Sequence, residues 1–124
     1  MEELKPTESE LEILQLLWVM GPSSVREIND ELNKTKEVGY TTTLKIMQIM
    51  FGKGLVTRTE KGRFHVYRAA VEEESTQKQL LSKFVQNTFG GQAMKMVMQA
   101  LGNHKASKEE LEAIKHLIEN LENK

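Results

Sequence analysis

No cysteine occurs among the 124 residues, which excludes disulfides, thiolate metal sites and cysteine nucleophiles. No apolar run approaches the roughly 18 residues that a membrane-crossing helix needs. The opening Met1-Glu2-Glu3-Leu4 lacks the basic and then apolar layout of a secretory signal. Together these absences predict a cytoplasmic chain held by packing alone. Two prolines and eight glycines are too few for a loop-rich sandwich and leave room for helices. Net charge is also nearly absent, at −1, while 39% apolar and 28% charged residues read as globular rather than disordered. Such a length makes one domain or two very small ones.

Catalytic and metal chemistry is equally thin. His65, His104 and His116 are the only histidines. His116 has Glu112 and Glu119 at helical spacing, but a metal needs three or four converging ligands, and no cofactor or metal site is expected. Ser23-Ser24 is explained by helix capping, and Gly52-Lys53-Gly54 lacks the spacing of a phosphate loop. The chain does not read as an enzyme.

The distribution of charge is more informative than its sum. Residues 1–37 carry four basic side chains against nine acids, a balance of −5. Residues 38–70 carry Lys45, Lys53, Arg58, Lys61, Arg63 and Arg68 against Glu60 alone, +5. Residues 71–124 carry seven lysines against eight acids, −1, with no arginine. A cationic block between acidic or neutral neighbours marks either a polyanion-binding surface or an ordinary solvated hairpin.

Helices are clearly punctuated. Thr7 and Glu10 form a capping-box pattern, followed by Leu11, Leu14, Leu17 and Trp18 on one helical face and a stop at Met20-Gly21-Pro22. Ser24 with Glu27 is a second capping box, and Val25, Ile28 and Leu32 stripe a short helix to about Asn33. A third helix is predicted from Gly39-Tyr40-Thr41 to Phe51 or Gly52. Its inner face holds Leu44, Met47, Met50 and Phe51; its outer face holds Thr41, Thr42, Lys45 and Ile49, with Gln48 on the flank. Leu55–Thr59 and Arg63–Arg68, around Glu60-Lys61-Gly62, read as a hairpin.

Three helices followed by a hairpin within about 70 residues is the layout of a winged helix, mainly α with a small β-hairpin. In helix-turn-helix proteins the second helix of the motif enters the major groove. Here that is the third helix, and its predicted groove residues are Thr41, Thr42, Lys45, Gln48 and Ile49. Tyr40 at the entrance either bonds a phosphate or packs on the second helix. Arg58, Lys61 and Arg63 on the hairpin would meet phosphate or the minor groove. A winged-helix protein-interaction module that never touches DNA is the alternative, but it does not need the +5 block.

Beyond Ala70 only helices are predicted. One carries Leu80, Leu81, Phe84 and Val85 and ends at Phe89-Gly90-Gly91. The next carries Met94, Met96, Val97 and Met98, and the last, after a capping box of Ser107 and Glu110, carries Leu111, Ile114, Ile118 and Leu121. Three short helices bury these faces poorly alone, so they either fold back on the first domain or meet a second copy. A small-molecule pocket between the Met-rich helices has no convergent polar groups to define it.

Several stretches also carry a family resemblance. They are Thr7-Glu8-Ser9-Glu10-Leu11-Glu12-Ile13-Leu14 with Leu17-Trp18, Val25-Arg26-Glu27-Ile28, Gly39-Tyr40-Thr41-Thr42-Thr43-Leu44 and Lys53-Gly54-Leu55-Val56. Gly62-Arg63-Phe64-His65-Val66-Tyr67, Phe89-Gly90-Gly91 and Ser107-Lys108-Glu109-Glu110-Leu111 complete the set. In this order and spacing, across residues 4–122, the chain resembles the penicillinase-repressor family of bacterial winged-helix transcriptional repressors, the BlaI/MecI/CopY type. The resemblance implies a winged-helix DNA-binding domain over residues 1–70 and a helical dimerisation domain over residues 71–124. It implies repression by a homodimer on a dyad-symmetric operator of double-stranded DNA. It would place Leu80, Phe84, Met94, Val97, Leu111, Ile114, Ile118 and Leu121 in dimerisation. One branch of that family is released when a membrane sensor-protease triggers cleavage at an Asn-Phe bond. The matching pair here is Gln99-Ala100, so cutting there is not expected, and Asn103 is the alternative site. The copper-responsive branch binds metal through cysteines, which this chain lacks.

Overall fold

In the computed structural model residues 5–102 and 107–122 are described, the last two as backbone only. The expectations for Asn103, His104 and the Leu121 side chain therefore lie outside the described residues. The chain forms two compact units that divide between Thr76 and Gln77.

In the first unit, local hydrogen bonding starts each of the first two helices. Helix α1 (Glu8–Met20) opens with a complete capping box, Glu10 N donating to Thr7 Oγ1 at 3.2 Å and Thr7 N to Glu10 Oε1 at 2.9 Å. Gly21, at φ 81°, ends it. Helix α2 (Val25–Leu32) repeats the device with Ser24 and Glu27. Helix α3 (Tyr40–Lys53) starts at Gly39 without a side-chain cap and ends at Gly54, whose left-handed φ of 82° suits a residue with no Cβ.

Strands β2 (Val56–Lys61) and β3 (Phe64–Ala69) form the expected hairpin, pairing Val56 with Ala69 through to Lys61 with Phe64. A third strand, β1 (Ser23–Ser24), joins the other edge of β3, giving the antiparallel order β1-β3-β2. Two serines carry no alternation and no β-branched residue, so nothing local announces β1.

The core of this unit gathers Ile13, Leu14 and Leu17 from α1, Val25, Ile28 and Leu32 from α2, and Met47 and Met50 from α3. Leu55, just ahead of β2, and Val56 and Tyr67 of the sheet close it. Leu11 and Trp18, expected on the buried face of α1, are half-buried at its margin, where Trp18 Nε1 donates to the Val71 carbonyl at 3.0 Å.

One charge sits inside this packing. Glu10 is 4% exposed, and Lys53 Nζ from the end of α3 reaches its Oε1 at 2.6 Å. Burial pushes the Glu10 carboxyl up, but the hydrogen bonds from Lys53 and the Thr7 amide outweigh burial and hold it below its ordinary value. A carboxyl lowered by folding adds stability above its unfolded pKa and loses that contribution as pH falls through the folded one. Lys53→Met should therefore cost about 1–2 kcal/mol in urea unfolding near neutral pH, since it strands a buried carboxylate whose partner was half-exposed. The cost should shrink in acid, where Glu10 is protonated. An equal loss at both pH values would sink this account of the pair.

The second unit is built from helices α4 (Glu73–Phe89), α5 (Ala93–Leu101) and α6 (Lys108–Glu122), α4 beginning in the first unit. Gly90 and Gly91, at φ 60° and 87°, make the turn into α5, and Gly91 N returns to the Val85 carbonyl at 3.0 Å. Its buried cluster is small: Val85, Ala93 and Ile118, with Met96, Val97 and Ile114 packed against them. Ile118 thus serves the unit's own core. Leu80 is half-buried, whereas Phe84, Met94 and Leu111 are exposed, as are Leu81, Met98 and Leu117.

Candidate nucleic-acid interface

The turn between α2 and α3 is locked by side chains. Asn29 Nδ2 donates to Thr43 Oγ1 at 2.8 Å and to the Val38 carbonyl at 3.1 Å. Asn33 donates to the same carbonyl at 2.8 Å and accepts from the Val38 amide at 3.2 Å. Thr43 is fully buried. A buried hydroxyl and amide that satisfy each other fix one helix against the next, because separating them would leave both unpaired. This orients α3 in a helix-turn-helix. Nothing local in the sequence marks this link, because Asn29 and Thr43 are polar and 14 residues apart.

With Thr43, Met47 and Met50 turned inward, Tyr40, Thr41, Thr42, Lys45, Gln48 and Ile49 are all exposed along α3. Ile49 is 49% exposed. Phe51, expected in the core, is instead 40% exposed. Its ring is covered from the hairpin: the Arg58 guanidinium lies 4.0 Å from the ring centroid, and Arg58 Nη1 donates to the Tyr67 hydroxyl at 3.4 Å. Arg58 is consequently half-buried and engaged within the chain rather than free at the surface.

Register explains this arrangement. Directly paired residues share a sheet face, so Arg58, Tyr67 and the buried Val56 point one way, with Glu60 and His65 farther out on the same face. His65 Nε2 stands 3.9 Å from Glu60 Oε1. Lys61, Phe64 and Arg68 lie on the opposite face. Gly62 has φ 65° and Arg63 a negative φ, the pattern of a type II′ turn, which leaves Arg63 at the tip.

The cations of this unit divide into two groups. Lys34, Lys36 and Lys53 are ion-paired with Glu31, Glu12 and Glu10. Lys5, Arg26, Lys45, Lys61, Arg63 and Arg68 are exposed and, like the half-buried Arg58, make no ion pair among the described residues. Apart from Lys5 ahead of α1, the unpaired group lies on α2, on the outer face of α3 and on the hairpin, where its charges are open to an external anion. Among the described residues no three metal-ligating side chains converge, and no helix is long and apolar enough to cross a membrane.

Comparison with known proteins agrees with this architecture. The penicillinase repressor of Bacillus licheniformis is 24% identical over 118 residues, covering 95% of this chain and 92% of that protein. The penicillinase repressor of Staphylococcus aureus is 20% identical over 116 residues, covering 94% and 92%. The solution structure of the DNA-binding domain of the repressor BlaI superposes with a TM-score of 0.53 at 24% identity, over 59% of this chain and 90% of that one. A MarR family protein from Bacillus stearothermophilus gives a TM-score of 0.52 at 18% identity, over 95% and 74%. At such identities the structural likenesses establish the winged-helix fold. The penicillinase repressor family model matches residues 6–120, nearly the full length, and this chain belongs to that family of repressors, which is not a family of enzymes.

Proposed function

We propose that the chain is a cytoplasmic, DNA-binding transcriptional repressor that reads a dyad-symmetric operator as a homodimer. The exposed face of α3 enters the major groove, where the hydroxyls and methyls of Thr41 and Thr42 meet base edges and Lys45 reaches a guanine or a phosphate. The wing tip, Lys61 and Arg63, contacts the backbone or minor groove. The observation that carries this reading is the set of exposed, unpaired cations on α2, on the outer face of α3 and on the wing. A related BlaI structure supports it, being described as a monomeric form in complex with the blaP half-operator. Two subunits would then read half-sites about 10 bp apart, or a multiple of that.

Affinity for a dyad duplex selected from a random pool should fall with salt. Lys45, Lys61 and Arg63, each neutralising one phosphate in each subunit, would contribute about −5 to the log–log slope. Arg63→Ala should weaken binding to all sequences and flatten the slope, while Thr42→Ala should hurt the selected duplex more than random DNA. Absence of salt-dependent duplex binding would favour a protein-interaction module instead.

The second unit is the dimerisation element and the point of control. Among its described residues Val85, Ala93 and Ile118 are the fully packed hydrophobics, while six large apolar side chains remain exposed, a pattern that calls for a second copy. Weakening that contact would release DNA by mass action. Gln99 and Ala100 lie exposed within α5. Helical geometry and the missing Asn-Phe pair both argue against a sensor-protease cutting there. Mass spectrometry of the protein from induced cells should find no fragment ending at Gln99, and finding one would overturn this view of control.

A further inference from the structure

We infer that a backbone phosphate of the bound DNA is seated in a cleft between α2, the start of α3 and the wing, with Arg26 as a contact residue. This rests on the DNA-binding reading and extends the interface to a helix and a residue outside the groove-facing set.

The cleft follows from the topology. Strand β1 is only two residues long and its pairing with β3 stops at Ser24 and Val66. Toward the tip, the edge of β3 at Phe64 and His65 therefore has no strand beside it. The first turns of α2 and α3 face that edge across a gap of about 580 Å³. Val25, Leu44 and Tyr67 contribute apolar wall, while Arg26 and Arg63 line it from the α2 and wing sides. Tyr40, the first residue of α3, lines it as well.

Arg26 is held ready for an anion. Its guanidinium carbon lies 5.3 Å from the centroid of the Tyr40 ring. Asp30 stands one helical turn on, at the spacing of an intrahelical ion pair, yet the two are not paired. A guanidinium held over a ring at this distance still has N–H groups free, and their fork matches the oxygens of a phosphate. The ring also restricts the long side chain, so less rotamer freedom is lost when the anion arrives. Arg63 approaches from the tip of a tight turn and is likewise unpaired among the described residues.

Two acids line the same cleft, and each has a consequence. Glu27 is committed, because its Oε1 accepts the Ser24 amide at 2.8 Å. Asp30 has no such engagement and opposes an incoming phosphate. This makes the cleft a poor sink for free anions and a seat for one delivered by a strand already held by α3 and the wing. Such a strand passes between major-groove and minor-groove contacts, which is the position of this gap.

Fluorescence anisotropy on the selected duplex and on random duplex, across a salt series, tests the assignment. Arg26→Ala should lose about tenfold in affinity for both duplexes, and its log–log slope should be shallower by about 2, for two phosphates per dimer. Tyr40→Leu, which removes the ring but no charge, should lose about threefold with the slope unchanged. Asp30→Asn should bind about threefold more tightly at low salt. Arg26 is exposed, so its thermal unfolding should match the parent and an affinity loss cannot be ascribed to misfolding. Replacing chloride by inorganic phosphate at equal ionic strength should leave affinity unchanged; specific competition would reassign the cleft to free anions. An Arg26→Ala slope equal to the parent's refutes the seat alone. A parent protein that binds no duplex at any salt refutes the DNA-binding reading itself.

Discussion

Replacing Leu117 by Glu should turn the proposed homodimer into a folded monomer that has lost most of its operator affinity. Leu117 is 62% exposed on α6, so within one chain a carboxylate there remains in water and costs folding little. In a dimer that covers this side, the same carboxylate would be buried without a partner, at a cost of several kcal/mol. The dimer dissociation constant should rise by more than about a hundredfold. Operator affinity should fall with it, since a monomer keeps only one half-site. Phe84, half-exposed on α4, should respond in the same direction. Ile118→Asp gives the contrast: Ile118 is 4% exposed and packs on Val85 and Ala93, so its substitution should melt the unit instead of dissociating it. Sedimentation equilibrium with circular dichroism separates the two outcomes. A chain carrying both Leu117→Glu and Phe84→Glu that remains dimeric would refute the second unit as the contact between copies.

That experiment uses Leu117, a residue the apolar periodicity did not single out, and the reason is physical. Periodicity identifies which side of a helix is apolar but not what covers it. On α6 Ile114 and Ile118 pack into the unit's own cluster; Leu111 lies nearly in line with Ile118 yet is exposed in the first turn of the helix, and Leu117, about 100° round from Ile118, is exposed beyond the stripe. The alternating methionines of α5 sort the same way. At about 100° per residue Met94 and Met98 share a side and are exposed, while Met96 turns inward.

Local signals were fully legible. The capping boxes at Thr7, Ser24 and Ser107 are all formed, the last with Ser107 N donating to Glu110 at 2.9 Å, because each partner lies three residues away. What stayed hidden depends on partners far along the chain. Asn29 and Thr43 are polar residues that a pattern assigns to the surface until α2 meets α3. Glu10 becomes a buried charge only because Lys53 arrives from the end of α3. The outer face of α3 could be read from the sequence because it is the complement of a regular buried stripe. The role of Arg58 could not, since its surroundings are set by the register of β2 on β3 and by the angle of α3.

Arg58 is therefore the residue at which two readings of the interface separate most clearly. As a free wing cation it would neutralise a phosphate, and its loss would flatten the salt dependence by about 2 for a dimer. As found, its guanidinium lies on the Phe51 ring and its Nη1 reaches the Tyr67 hydroxyl, tying the wing to α3. Tyr67 is 1% exposed, so one end of the tie is anchored in the core. On the proposed reading, major-groove and wing contacts are made together, and their relative placement is what such a tie would hold constant. Arg58→Ala should thus cost about thirtyfold in operator affinity, about 2 kcal/mol, while leaving the salt slope close to that of the parent. Arg58→Lys should not restore it, because an ammonium cannot both stack in a plane and present a forked donor. Phe51→Leu, which changes no charge, should reproduce part of the loss, again at constant slope. The measurement is the anisotropy titration across salt for all three variants. A slope reduced by about 2 in Arg58→Ala, with Phe51→Leu binding like the parent, would return Arg58 to the role of a direct phosphate contact.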